Sequence, residues 1–151
     1  MDVYLLGLAI GLGYHCYTDV RYMLLYDSIN SCLAVLGLWR AWQMGFLGQA
    51  WQGAVVLGGL MLLIYYASHG GMGEGDVKLA VVLGLWLGVE QGLLCLLLAF
   101  VSGAICGGLL ILLQRKSCKQ QLPFGPYLAV SALVCYVYGS SMLKWYGGFF
   151  D

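Results

Sequence analysis

Charge is what this sequence has least of: 9% of its residues are Asp, Glu, Lys or Arg, against 62% hydrophobic. A soluble domain usually carries about 25% charged residues. So sparse a set cannot cover a water-exposed surface, which excludes an ordinary soluble globule; lipid needs no such cover. Seven basic residues balance seven acidic ones, so no broad basic field argues for nucleic acid as a partner. The six cysteines, Cys16, Cys32, Cys95, Cys106, Cys118 and Cys135, include no C-x-x-C pair. They read as small apolar residues of a helix bundle, not as a zinc site. The start of the chain lacks a cationic n-region and a cleavage site, so Val3 onward reads as a mature transmembrane helix. No linker, second domain or low-complexity tail interrupts residues 1–151, which read as one domain.

What is present is a series of apolar runs. They predict an all-α polytopic membrane protein with about six transmembrane helices, near Val3–Thr18, Ile29–Trp39, Ala50–Ala67, Val77–Val89, Leu93–Leu113 and Phe124–Leu143. Spanning a bilayer takes about 20 helical residues, so the second and fourth runs need flanking residues, a thinned bilayer or a water-filled cavity. With the N-terminus outside, the inner loops carry Arg21, Lys78, Arg115, Lys116 and Lys119, and the outer side keeps Arg40 and Lys144. The positive-inside rule favours that orientation, with both termini outside. Gly7/Gly11, Gly84/Gly88 and Gly103/Gly107 are small-xxx-small pairs, a helix-packing signal without chemistry.

Of the seven acidic residues, Asp2 and Asp151 are terminal and Glu90 falls in an expected outer turn. Asp19, Asp27, Glu74 and Asp76 all fall on the inner side, Asp19 closing the first helix and Asp76 opening the fourth. Ionisable groups at membrane depth are costly and are functional candidates for that reason. Asp76 ends the loop His69-Gly70-Gly71-Met72-Gly73-Glu74-Gly75. Its four glycines free the backbone for positive φ angles and close approach, and Asp76 is expected at the N-cap of the helix that follows.

This loop continues as Gly73-Glu74-Gly75-Asp76-Val77-Lys78-Leu79 and resembles the GxGD signature of type IV prepilin peptidases, bacterial membrane aspartyl proteases. Asp19-Val20-Arg21 with Leu25-Tyr26-Asp27 resembles that family's D-x-R then I-P-[ND] segment. Leu122-Pro123-Phe124-Gly125-Pro126-Tyr127 resembles its late P-F-G-P motif. The three occur in the family's order, and the resemblance covers essentially the whole chain. Tyr26 stands where the family has proline, which suggests a differently shaped turn after Asp19. Larger members carry a zinc-binding domain for N-methylation; this chain has neither its length nor its cysteine pairs and is similar to the short forms.

The resemblance implies an aspartic endopeptidase without methyltransferase activity, at the cytoplasmic (inner) membrane, with its site facing the cytoplasm. Its partner would be a prepilin or pseudopilin precursor whose short basic leader ends in glycine. An archaeal-type preflagellin peptidase and an inactive assembly factor of a pilus or secretion system are the alternatives. No metal or organic cofactor is implied, and a homo-oligomer stays open. Asp19 and Asp76 would be catalytic, since two neighbouring carboxyls share one proton and supply both base and acid. Helix dipoles suggest Asp76, at a helix N-terminus, as base and Asp19, at a helix C-terminus, as acid. Gly73, Gly75, Lys78, Pro123, Phe124, Gly125 and Pro126 would shape the site or bind substrate. Lys78 doubles as a membrane anchor, Glu74 and Asp27 as ordinary loop acids or attractors of a basic leader, and His15, a turn before Asp19, as a satisfied buried histidine.

Overall fold

The structure is a computed structural model that describes residues 3–68, 71–113 and 123–147. Those residues form five helices: α1 (Val3–Tyr22), α2 (Asp27–Gln43), α3 (Leu47–Ala67), α4 (Glu74–Leu112) and α5 (Gly125–Gly147). No strand occurs among the described residues. Three helices are long and apolar enough to cross a membrane: α3, residues 74–110 of α4, and α5. The expectation of about six spans is met only in its all-helical character. The short second run does borrow its neighbours, and α2 reaches 17 residues. His69 and the basic stretch Arg115, Lys116 and Lys119 lie outside the described residues, as do Cys118, Leu122, Asp2 and Asp151.

α4 is not one straight rod. Gly88 adopts φ 72° and ψ −167°, a region essentially closed to residues with a Cβ. The consequence is visible against α3: a Cβ on Gly58 would strike Val81, while a Cβ on Gly92 would strike Leu57. Neighbouring residues of α3 thus face positions 81 and 92, which a straight helix would hold about 16 Å apart. The chain reverses at Gly88, so residues 74–87 run antiparallel to α3 and residues 89–112 run back alongside it. The break was expected after Val89, with Glu90 in the turn. Instead Val89 and Glu90 are already helical, because glycine alone tolerates the reversing angles.

The α3–α4 contact is the tightest in the bundle. A Cβ on Gly84 would lie 2.4 Å from the Gly53 carbonyl, and one on Gly53 would lie 2.4 Å from the Gly84 oxygen. Backbones approach this closely only where neither carries a side chain. Leu8, Leu12, Leu33, Leu57, Met61, Leu83, Trp86 and Leu128 fill the core between the helices. Cys95 and Cys135 are buried there as small apolar groups, whereas Cys32 and Cys106 are exposed.

One end of the bundle is clamped by Trp86 and Arg40. The Trp86 indole donates to the Leu33 carbonyl at 2.9 Å, in space left by Gly37. The Arg40 guanidinium donates to the Trp86 carbonyl at 3.0 Å and lies over the rings of Phe46, Trp86 and Tyr136. The opposite end gathers the close of α1 and α3 and the starts of α2, α4 and α5. The described cations divide evenly between the ends, Arg21 and Lys78 against Arg40 and Lys144.

The close approach sets an expected outcome for thermal unfolding of the detergent-solubilised protein. Gly84→Ala forces two backbones apart and should cost about 1–3 kcal/mol. Gly59→Ala, with nothing within 4 Å of its Cβ, should be neutral or slightly stabilising.

Candidate active site

Asp19 lies in the last turn of α1, which runs on to Tyr22 instead of ending at the aspartate. Met23, at φ 52°, stops the helix, and its amide bonds the Asp19 carbonyl at 2.9 Å. The Asp19 side chain points inward and is only 6% exposed. A buried carboxyl needs donors, and Asp19 finds one in another helix: the Gly125 amide donates to its Oδ2 at 2.8 Å. Gly125 is the first residue of α5, where amides lack partners inside the helix. Pro126 next to it has no amide to offer. A Cβ on Gly125 would sit 2.7 Å from the same Oδ2, so glycine is required for the approach.

Asp76 is also 6% exposed. It is not the N-cap. α4 begins at Glu74, which places Asp76 at the third helical position, its amide bonded to the Gly73 carbonyl at 3.2 Å. Its carboxyl lies back toward Gly73, the residue before the helix. A Cβ on Gly73 would lie 3.4 Å from Asp76 Oδ2, and one on Gly75 would press on Leu25 at 2.8 Å. Among the described residues of this loop none takes a positive φ. Gly73 and Gly75 serve close approach, not turn angles.

The two carboxyls belong to one site. Asp19 and Asp76 lie near enough to interact electrostatically, and Asp76 Oδ1 is buried with no hydrogen-bond partner. The dipole argument for separating their roles does not survive, because it counted only each residue's own helix. The N-terminus of α5 lies against Asp19 just as the N-terminus of α4 lies against Asp76, so both meet positive partial charge.

Around this pair the other expected residues are arranged unequally. Phe124 packs on Phe100, with centroids 5.0 Å apart, and on Tyr127, forming an aromatic wall beside Gly125; Pro123 and Pro126 flank it, half-buried. Lys78 is directed elsewhere. Its ammonium grips both Asp27 oxygens, at 2.8 and 2.9 Å, on an exposed surface tying α4 to the start of α2. Glu74 is exposed and accepts a hydrogen bond from Tyr65 at 3.3 Å. Tyr26, where a proline was expected, has φ −76°, an angle proline itself would take; the turn after Asp19 keeps a proline-compatible shape.

Two features escaped the sequence reading. One is the Gly125 amide as the partner of Asp19, which no pattern announces because the residues are 106 positions apart. The other is Asn30, buried beside His15 on the neighbouring helix. His15 is fully buried as expected, but neither ring nitrogen has a partner at hydrogen-bond geometry. Among the described residues no group of three His, Cys, Asp or Glu side chains could hold a metal ion.

Comparison with known proteins agrees with the family that the motifs resemble. Residues 6–108, which include both aspartates, match the type IV leader peptidase family. The chain is 31% identical over 137 residues to a prepilin leader peptidase/N-methyltransferase of Bacillus subtilis, covering 85% of this chain and 53% of that protein. It is 36% identical over 137 residues to the protein of that name in Aeromonas hydrophila, covering 86% and 47%. In Legionella pneumophila it is 31% identical over 140 residues, covering 88% and 49%. The chain thus spans about half the length of these relatives. No solved structure matches it. With the GxGD loop and the first-aspartate segment both inside the matched region, this chain belongs to the type IV leader peptidase family.

Proposed function

We propose that this chain is a membrane aspartic endopeptidase that removes the basic leader from prepilin-like or pseudopilin precursors at the cytoplasmic face of the inner membrane. The observation that carries the reading is the burial of Asp19 and Asp76 together, each set against a different helix N-terminus. An apolar bundle has little reason to hold two interacting carboxyls unless their chemistry is used. The names of the relatives supply the substrate class.

Hydrolysis would follow from the pair acting as a unit. One carboxylate takes a proton from water as that water attacks the scissile carbonyl, and the other carboxyl protonates the departing amine. The two share a proton, because like charges so close resist double ionisation. The Gly125 amide holds the Asp19 carboxyl in place while protons move. Phe124 and Tyr127 would line the path of the hydrophobic segment that follows the cut. Lys78, held by Asp27, would fix the distance between α2 and the first turn of α4. The helices of the bundle, with the two arms of α4 counted separately, would give the six-span topology, with both termini outside. Methyl transfer is not proposed for these residues, which include no C-x-x-C pair.

The reading is tested by incubating the purified protein with a candidate prepilin in lipid or detergent. Asp19→Asn and Asp76→Asn keep the shape of each side chain and remove its acid–base chemistry. Each should lower the cleavage rate at least about a hundredfold while the protein stays inserted and helical. Equal product from wild type and either variant would end the aspartyl mechanism and favour an assembly role; cleavage of a preflagellin in place of a prepilin would redirect the substrate class. Gly125→Ala is the finer probe. Its added methyl displaces the Asp19 carboxyl, and turnover should fall about tenfold or more with helix content unchanged by circular dichroism.

A further inference from the structure

The buried polar and charged side chains among the described residues are few: His15, Thr18, Asp19, Asn30, Asp76 and Ser131. All but Ser131 fall into two neighbouring sets, Asp19 with Asp76 and Thr18 with His15 and Asn30. Asp19 interacts with Asp76, the Thr18 hydroxyl donates to the His15 carbonyl at 3.2 Å, and the His15 ring lies beside Asn30. His15 precedes Asp19 by four residues, which puts both on one face of α1 about 6 Å apart along its axis. The site therefore has a polar floor inside a core that is otherwise apolar.

That floor is not self-sufficient. Both ring nitrogens of His15 and both amide atoms of Asn30 are buried without a partner at hydrogen-bond geometry. Buried polar groups are normally satisfied by protein or by internal water. A neutral imidazole offers one donor and one acceptor, and a carboxamide offers two donors and an acceptor. Facing each other, they present the two to four polar partners an internal water requires. The placement also has leverage on Asp19. Asn30 sits in the first turns of α2, its backbone N–H bonded to the Tyr26 carbonyl at 3.2 Å, so the pair spans the corner formed by α1, residues 23–26 and α2. Gly125 holds the Asp19 carboxyl from α5; Asn30 of α2 meets α1 at His15, one turn before Asp19.

We propose that His15 and Asn30 form a hydrated polar pair one helical turn behind Asp19 and act as positioning residues for its carboxyl. The inference rests on the aspartyl peptidase reading above. The pair takes no proton from substrate and touches no reacting atom; it fixes the angle at which Asp19 meets Asp76 and the attacking water.

Two measurements on the full chain in lipid nanodiscs test it. X-ray hydroxyl-radical footprinting modifies side chains beside bound water, so His15 should be labelled despite its full burial. An unlabelled His15 overturns the hydrated pair. In prepilin cleavage, His15→Leu and Asn30→Leu should each lower kcat about tenfold with KM nearly unchanged, whereas His15→Gln, which keeps a donor and an acceptor, should recover most of the loss. A purely structural role would lower the melting temperature and leave turnover per folded molecule intact, and that result overturns the proposal. If a leucine variant does not fold, His15→Gln and Asn30→Ser decide: turnover near wild type in both supports the pair, and loss in both overturns it. An inactive wild type, with labelled His15, sinks the peptidase reading and keeps the hydrated pair.

Discussion

A buried carboxylate and an unpaired helix amide each present a problem that the other solves. The Asp19 side chain is removed from water, where it needs donors, and the first amide of α5 has no acceptor within its own helix. Their hydrogen bond, Gly125 to Asp19, joins the end of α1 to the start of α5 and aims the aspartate at the first turn of α4. Asp76 sits in the first turn of α4 with its carboxyl beside Gly73. The two aspartates are thus set at helix ends, with almost no help from other side chains.

Glycine makes that construction feasible at three scales. At Gly125 it lets a backbone amide reach a carboxyl without a methyl group in the way. At Gly53 and Gly84 it lets α3 and α4 touch backbone to backbone, which in lipid replaces the hydrophobic drive that water would supply. At Gly88 it lets α4 reverse, which brings residues 89–112 back beside α3 and α5 so that Phe100 can stack on Phe124 at the edge of the site. The cations and acids near the site form a separate, exposed layer. Lys78 and Asp27 spend their charge on each other, in a contact that at this exposure contributes little to stability but ties two helix starts together.

The sequence motifs pointed to candidate residues more sharply than to the fold. Asp19, Asp76 and the Pro123–Pro126 stretch were legible because acids and helix-breaking residues are rare in apolar runs and conspicuous there. Helix ends were less so: Thr18 looked like the end of α1, yet the helix runs to Tyr22, because nothing in that polar stretch breaks a helix before Met23 turns to a positive φ. The reversal was misplaced by a few residues, since Gly84, Gly88 and Gly92 look alike in sequence and only the packing against α3 selects one of them. Tyr26 looked like a departure of consequence, but its backbone angle is the one a proline would have.

Composition and motif order by themselves determined that the chain is a helical membrane protein of the leader peptidase type and made Asp19 and Asp76 candidates, because scarcity of charge and the spacing of rare residues are properties of the string. Only the tertiary structure decided what each residue touches: that Asp19 takes its hydrogen bond from Gly125, that Lys78 serves Asp27 and not the dyad, and that His15 faces Asn30. Those contacts join positions up to 106 residues apart, and no local pattern encodes a partner that far along the chain until packing brings the two together.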